Sequence, residues 1–205
     1  MSPPIRNVVI LSAWSSGSTA VAGYLARLGV HTAPPHQATG DPLTPDSHES
    51  RALRRALTQR IDELGLQPRT ACDLPPFGDW LREWITAEHE HAAEMGATHM
   101  LLKHPLLAFF IDDLRAVCDP RFVIVTRDLE AIERTRQRRG WHPVYGRSGA
   151  TVLYQRIFSA CLDGSLEALV CPFDRFRHRE AMRTDLCRWL GMDDAQRETA
   201  DAWIR

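Results

Sequence analysis

The strongest constraint on the fold lies at the start of the chain. Val8, Val9, Ile10 and Leu11 form an unbroken, largely β-branched apolar run, which reads as a strand buried on both faces. Small residues fill 12–18, and 19–28 reads as a helix with Val21, Leu25 and Leu28 on one face, stopped by Gly29. A fully buried strand delivered straight into a helix demands helices on both sides of a sheet. The pattern recurs. Apolar strands are expected at 99–103, 121–126 and 166–171, and helices at about 48–64, 79–95, 106–117, 129–139 and 179–190. Ser47 is a candidate cap for the second helix, and Gly191 closes the last. Residues 31–47 and 66–78, rich in Pro, Thr, Asp and Gly, read as long loops. The expectation is an α/β fold: a three-layer α/β/α domain with a mostly parallel central sheet.

Size and charge narrow the rest. A chain of 205 residues suits one domain, 1–205, and no composition break marks a boundary. The formal net charge of -1 gives no global attraction to nucleic acid, so any anion site must be local. Cys72, Cys118, Cys161, Cys171 and Cys187 are odd in number and form no C-x-x-C pair, which argues against a disulfide framework or zinc site. No stretch reaches membrane-span length, and 1–7 lead directly into the first strand without a signal segment. The expected location is therefore the cytoplasm. Glu88-His-Glu-His91 reads as an exposed helix face, because histidines two apart point to different sides of a helix. No metal site is expected.

In such folds ligands collect at the carboxyl ends of the strands. The first such end holds Ser15, Ser16, Gly17, Ser18, Thr19 and Ala20. Gly17 allows close backbone approach, the hydroxyls donate, and a helix N-terminus offers unpaired N–H groups and a positive dipole end. This makes an anion cradle. It is not a nucleoside-triphosphate loop, since the Lys and the first Gly of G-x-x-x-x-G-K-[ST] are missing. A serine-rich connector capped by Ser18 or Thr19 uses the same residues, and spacing alone leaves both readings open.

The segment Ser15-Ser-Gly-Ser-Thr-Ala, with its helix running into Leu28-Gly29, resembles the loop by which sulfotransferases hold the 5′-phosphosulfate of 3′-phosphoadenosine-5′-phosphosulfate (PAPS). A second element resembles the same family: strand 121–126, then Arg127-Asp128, then a helix with Thr135 eight residues after the Arg. In the family such an Arg and hydroxyl bind the 3′-phosphate, where a guanidinium fork matches a phosphate bidentately. Leu129 stands where the family has Pro, and Thr135 where it has Ser. The resemblance implies a P-loop-like sulfotransferase fold, PAPS as donor with PAP as product, and a hydroxyl or amine acceptor on a small molecule or carbohydrate. It implies neither a nucleic-acid partner nor a metal, and a homodimer is compatible with it.

Catalytic candidates follow from the same resemblance. Asp46-Ser-His-Glu-Ser-Arg51 is similar to a segment whose acidic residue is the general base, which nominates Glu49, with His48 beside it. Lys103-His-Pro105 is similar to a strand-end segment that supplies a catalytic Lys or His, which nominates Lys103 and His104. A first-turn acid and a capping His are the plainer readings of Glu49 and His104. The chain departs from the pattern at Ser15, where the family carries Lys or Arg against the leaving phosphate. Lys103, Arg127 and the run Arg134, Arg136, Arg138, Arg139 are the candidate replacements, although such a run is also a common solvated helix face. Trp141 is a candidate wall for an acceptor or adenine pocket. A catalytically impaired nucleotide-binding protein and a divergent small-molecule kinase remain the alternatives.

Overall fold

The computed structural model describes residues 4–42, 44–70, 73–192 and 197–204. In chain order the elements are β1 (Arg6–Ser12), α1 (Ser18–Arg27), β2 (His36–Ala38), β3 (Asp46–Ser50), α2 (Arg51–Arg60), β4 (Ile61–Asp62), β5 (Gln67–Pro68), α3 (Phe77–Glu94), β6 (His99–Lys103), α4 (Ile111–Cys118), β7 (Arg121–Thr126), α5 (Leu129–Arg138), α6 (Arg147–Leu162), β8 (Ala168–Pro172), α7 (Phe173–His178), α8 (Glu180–Leu190) and α9 (Arg197–Ile204). Short 3₁₀ turns span Pro105–Phe109 and Pro143–Tyr145.

The central sheet has the order β6-β1-β7-β8, and every pairing in it is parallel. Alternate side chains of β1 go to opposite faces, as a pleated strand requires. Val8 and Ile10 join Val21, Leu25 and Leu186 on one side, while Val9 and Leu11 join Leu57, Leu81, Leu107 and Leu153 on the other. Both faces are covered by helices. The expected three layers are present, and the carboxyl ends of β1, β6 and β7 converge at one edge.

Several expected elements differ. Helix α2 begins at Arg51, not 48, because 46–50 pair with 36–38 as an antiparallel hairpin inside the expected loop. Ser47 is therefore a strand residue: its Oγ donates to Gln37 O at 2.6 Å and accepts from Glu49 N. The expected helix 106–117 is broken at Phe110, where φ −129° and ψ 29° separate the 3₁₀ turn from α4. Residues 140–150, for which no element is expected, contain a 3₁₀ turn and the start of the sixteen-residue α6. The last expected helix, 179–190, is α8, but a short helix α7 precedes it and α9 follows it. A buried Arg183–Asp201 ion pair (2.5 Å) ties α9 to α8. Glu88 is not an exposed face residue: it accepts from His31 Nε2 at 2.8 Å, and only 14% of its side chain is exposed. Cys72 lies outside the described residues, and Cys118, Cys161, Cys171 and Cys187 form no disulfide.

Candidate functional site

The loop after β1 turns sharply. Ser15 (φ 60°) and Gly17 (φ 93°) both adopt left-handed backbone, and Gly17 stands at the N-terminal end of α1. No side chain caps that helix, and no acidic residue occupies its first turn. The amides of Ser18 and Thr19 thus have no intrahelical acceptor, while Ala20 N already bonds to Gly17 O at 3.0 Å. Ser16 and Ser18 are buried. A Cβ on Gly17 would overlap the Phe173 ring. Gly17→Ala is expected to cost about 1–3 kcal/mol from the positive φ alone, with the aromatic overlap added. Urea unfolding read against the parent chain checks this.

The two sequence elements, 112 residues apart, meet directly. Arg127 Nη1 donates to Ser15 O and to Thr135 Oγ1, each at 3.1 Å, and Thr135 in turn donates to Ala131 O. Asp128 caps α5 by accepting from Ala131 N, which fixes the start of the helix that presents Thr135. The guanidinium lies 5.1 Å above the Phe173 ring, and its Nε is buried with no hydrogen-bond partner. Burial draws the Arg127 pKa below the usual arginine value. Asp174 opposes this, and Arg134, Arg177 and Arg139 push the same way. Four guanidinium groups close enough to repel one another mark a place suited to an anion. Arg177 was not legible as part of it, because it sits on a short helix after β8. Of the basic run, Arg138 and Arg139 both bond to Asp41 and Arg136 bonds to Glu133, so these charges are partly met within the protein.

The same loop borders an open cleft of about 190 Å³. Its floor is Ser18, Thr19, Lys103 and Glu49; the β2–β3 hairpin forms one wall with Gln37 and Thr39, and Tyr145, Trp141 and Arg139 form the other. Arg139 stacks over Trp141 at 4.5 Å. Lys103 is 2% exposed, at the end of β6, and its ammonium donates to Thr19 Oγ1 (3.1 Å), Ser47 O (2.8 Å) and Glu49 Oε1 (2.9 Å). All three of its donors are engaged. Burial opposes ionisation of Glu49, but Lys103, then His104 and Arg54, outweigh it and hold the carboxyl below its usual pKa. Glu49 is ionised at neutral pH.

The two histidines differ from these. His104 is buried behind Glu49, with Nε2 3.9 Å from Glu49 Oε2, while Nδ1 accepts from Leu106 N and caps the 3₁₀ turn. Burial pushes its pKa down to about 4, so the ring is neutral and carries its proton on Nε2, facing the carboxylate. His48 does not reach the cleft. Its Nε2 lies 3.1 Å from where a Gly23 Cβ would stand, against α1, and burial lowers its pKa to about 4. Tyr145, Arg54 and Glu63, which also line the cleft, carry no signal in the sequence. They arrive through a 3₁₀ turn, a helix and a turn that pack here only in three dimensions. Arg54 and Glu63 pair at 3.0 Å, and burial raises the Glu63 pKa against that pairing.

No family model matches the sequence, and no curated protein matches it. Solved structures do. The sulfotransferase domain of the Synechococcus PCC 7002 olefin synthase is 20% identical with a TM-score of 0.55, over 96% of this chain and 77% of that one. A sulfotransferase from Mycobacterium tuberculosis is 15% identical with a TM-score of 0.59, over 98% and 71%. A sugar kinase from Janibacter sp. HTCC2649 is 19% identical with a TM-score of 0.51, over 94% and 98%. The chain has the sulfotransferase-type α/β fold.

Proposed function

We propose that this chain is a sulfotransferase that moves a sulfuryl group from PAPS to a hydroxyl or amine of a small-molecule or carbohydrate acceptor, releasing PAP. The observation that carries the reading is the Arg127 guanidinium, which joins the Ser15 loop to Thr135 on α5. That arrangement links the two anion-binding elements as one donor needs them linked, with phosphates at both ends of a nucleotide. The amides of Ser18 and Thr19 would hold the 5′-phosphosulfate, and Arg127 and Thr135 the 3′-phosphate, with Arg134 and Arg177 adding positive potential. The acceptor would enter the cleft between the hairpin and Trp141, which Arg127 does not line.

In this reading S–O bond formation to the acceptor accompanies cleavage of the S–O bond to the leaving phosphate. Negative charge grows on the bridging oxygen, and with serine at position 15 the cation that touches the loop from the cleft is Lys103. One of its donors would exchange Thr19 or Ser47 for that oxygen. Glu49, ionised and 2.9 Å from the ammonium, would take the acceptor proton. The kinase reading is kept by a specific observation, the sugar-kinase likeness over nearly the whole of both chains.

Calorimetric titration of PAP, ATP and ADP separates the two. The sulfotransferase reading expects PAP to bind more tightly than ATP with or without Mg²⁺. It expects Arg127→Ala to weaken PAP by about 10–100-fold, the range for hydrogen bonds to a charged group. Tight Mg²⁺-dependent ATP binding with none of PAP would replace it with the kinase. PAP binding without turnover of PAPS against a panel of phenols, amines and sugars would leave a nucleotide-binding protein.

A further inference from the structure

The β2–β3 hairpin carries a second cluster of chemistry. Its cleft side bears Gln37, Ser47 and Glu49, while His36, Asp46 and His48 gather away from the cleft with one ligand atom each, all within 4.8 Å of one another. Asp46 Oδ2 is the shared point, 2.8 Å from His36 Nδ1 and 4.0 Å from His48 Nδ1. His36 Nε2 lies 3.0 Å from Thr32 O. A carbonyl oxygen only accepts, so Nε2 bears a proton, and a ring carrying that proton alone turns a lone pair on Nδ1 toward a carboxylate oxygen. Two acceptors in contact need a second proton or a cation between them. A backbone carbonyl behind the far ring nitrogen is also how metal-binding histidines are held in one tautomer. The same demand recurs at His48, whose Nδ1 is buried with no hydrogen-bond partner. The carboxylate is pre-set as well, because Asp46 Oδ1 accepts from His48 N at 2.7 Å.

We propose that His36, Asp46 and His48 form a binding site for a Zn²⁺-class divalent cation that clamps the hairpin shut. Ligand atoms around tetrahedral zinc stand about 3–3.5 Å apart, between the two distances to Asp46, and all three ligand atoms already lie within 4.8 Å of one another, so closure needs side-chain adjustment and no rearrangement of the hairpin. Two imidazoles with a single carboxylate suit zinc and its neighbours and fit Mg²⁺ or Ca²⁺ poorly, since those demand oxygen ligands. The Asp46 side chain is 46% exposed, which leaves an entry path and room for water as a fourth ligand. The metal would join β2 to β3 one residue before Glu49 and so fix the cleft wall. The site was not legible in sequence: the spacing from 36 to 46 exceeds local ligand motifs, and only the hairpin closes it.

The site does not depend on the proposed reaction, and its test needs no turnover. Tag-free chain is titrated with Zn²⁺ by calorimetry and with Co²⁺ by absorption. One ion per chain is expected, with ligand-field bands and no thiolate charge-transfer band. Excess Zn²⁺ at about 100 times Kd should raise Tm by roughly 5–10 °C. His36→Ala and His48→Ala should each weaken binding at least tenfold while far-UV dichroism stays unchanged. Asp46→Asn, which keeps the hairpin's shape, should do the same if either alanine variant misfolds. Zn²⁺ affinity and Co²⁺ bands unchanged in Asp46→Asn and in the His36→Ala/His48→Ala double variant would overturn the proposal, as would the absence of stoichiometric binding.

Discussion

Lys103→Met is expected to lower sulfuryl transfer by about 10²–10³-fold, the usual cost of removing one preorganised charge from where negative charge develops. Lys103 carries this weight because the loop itself lacks a cation. Position 15 is serine, and the ammonium bonded to Thr19 Oγ1 stands at the start of α1, beside the amides that would hold the donor. The substitution also strands Glu49, since removing one partner of a buried ion pair costs about 3–5 kcal/mol. The two effects are separable. In Lys103→Met burial acts on Glu49 with its main opposing charge gone, so the Glu49 pKa rises and the acid limb of the pH–rate profile moves up. Lys103→Met/Glu49→Gln removes both charges and should regain most of the lost stability while staying inactive. A double variant that regained activity with stability would show Lys103 to be a structural residue only.

The pair has a pH signature in the parent chain. The Glu49 carboxyl is held below the ordinary glutamate value of 4.5, so in the unfolded chain it takes up protons at higher pH than in the folded one. Its contribution to stability is full above about pH 4.5 and is lost as the pH falls through the folded value. His104 and His48, with pKa values pushed down to about 4, act in the same direction: each is neutral when folded, gains charge more readily when unfolded, and costs stability as the pH falls below the ordinary histidine range. Acid unfolding should therefore begin near pH 6 and steepen below pH 4.5. Glu49→Gln should remove the steeper part, as followed by tryptophan fluorescence.

The parts legible in the sequence are those whose signal is local. β1, β6 and β7 are apolar runs, and Arg127 and Thr135 are fixed by a spacing of eight residues running off a strand end onto one helix. The hairpin was missed because β2 spans three residues and pairs eight to fourteen positions away, and no periodicity survives that shortness. α6 was missed for another reason. Its buried residues Ala150, Leu153 and Ile157 follow helical spacing, but Gly146 and Gly149 at its start read as loop. Gly149 is there for packing: a Cβ would overlap Val144 O. Glu49 and Lys103 were nominated separately by resemblance. Their contact, 54 residues apart, belongs to the fold, because β3 must lie over the end of β6 to bring Glu49 onto the ammonium. Tyr145 and Phe173 had no such route, since a single aromatic in a loop carries no period and no partner in the sequence.

Glu49→Gln is the second large effect, an expected fall in kcat of about 10²–10⁴-fold, the span for general-base removal, with PAP affinity held within a few-fold. Three carboxylate or imidazole candidates stood near the segment, and geometry now ranks them. His48 faces α1, so His48→Ala should leave kcat in metal-free buffer nearly unchanged. His104 spends its only lone pair on Leu106 N and presents a proton to Glu49. It cannot accept a proton on Nδ1 without losing that bond, and its Nε2 is 3.9 Å from the carboxylate with no hydrogen-bond partner. His104→Asn should accordingly change kcat by far less than Glu49→Gln. Of the three, only Glu49 lines the cleft, ionised, with an oxygen 2.9 Å from the cation that would meet the donor. Charge pairing that keeps it ionised also weakens it as a base. In the proposed reaction proton removal would therefore draw on Lys103: an ammonium turning toward the leaving oxygen would loosen its hold on Glu49, and the carboxylate would gain basicity as the sulfuryl group departs. Glu49→Asp, which keeps the charge but withdraws it by one methylene, should keep PAP binding and lose most of kcat. Full activity in Glu49→Gln would remove the base assignment and leave the carboxylate as a counter-ion that positions Lys103.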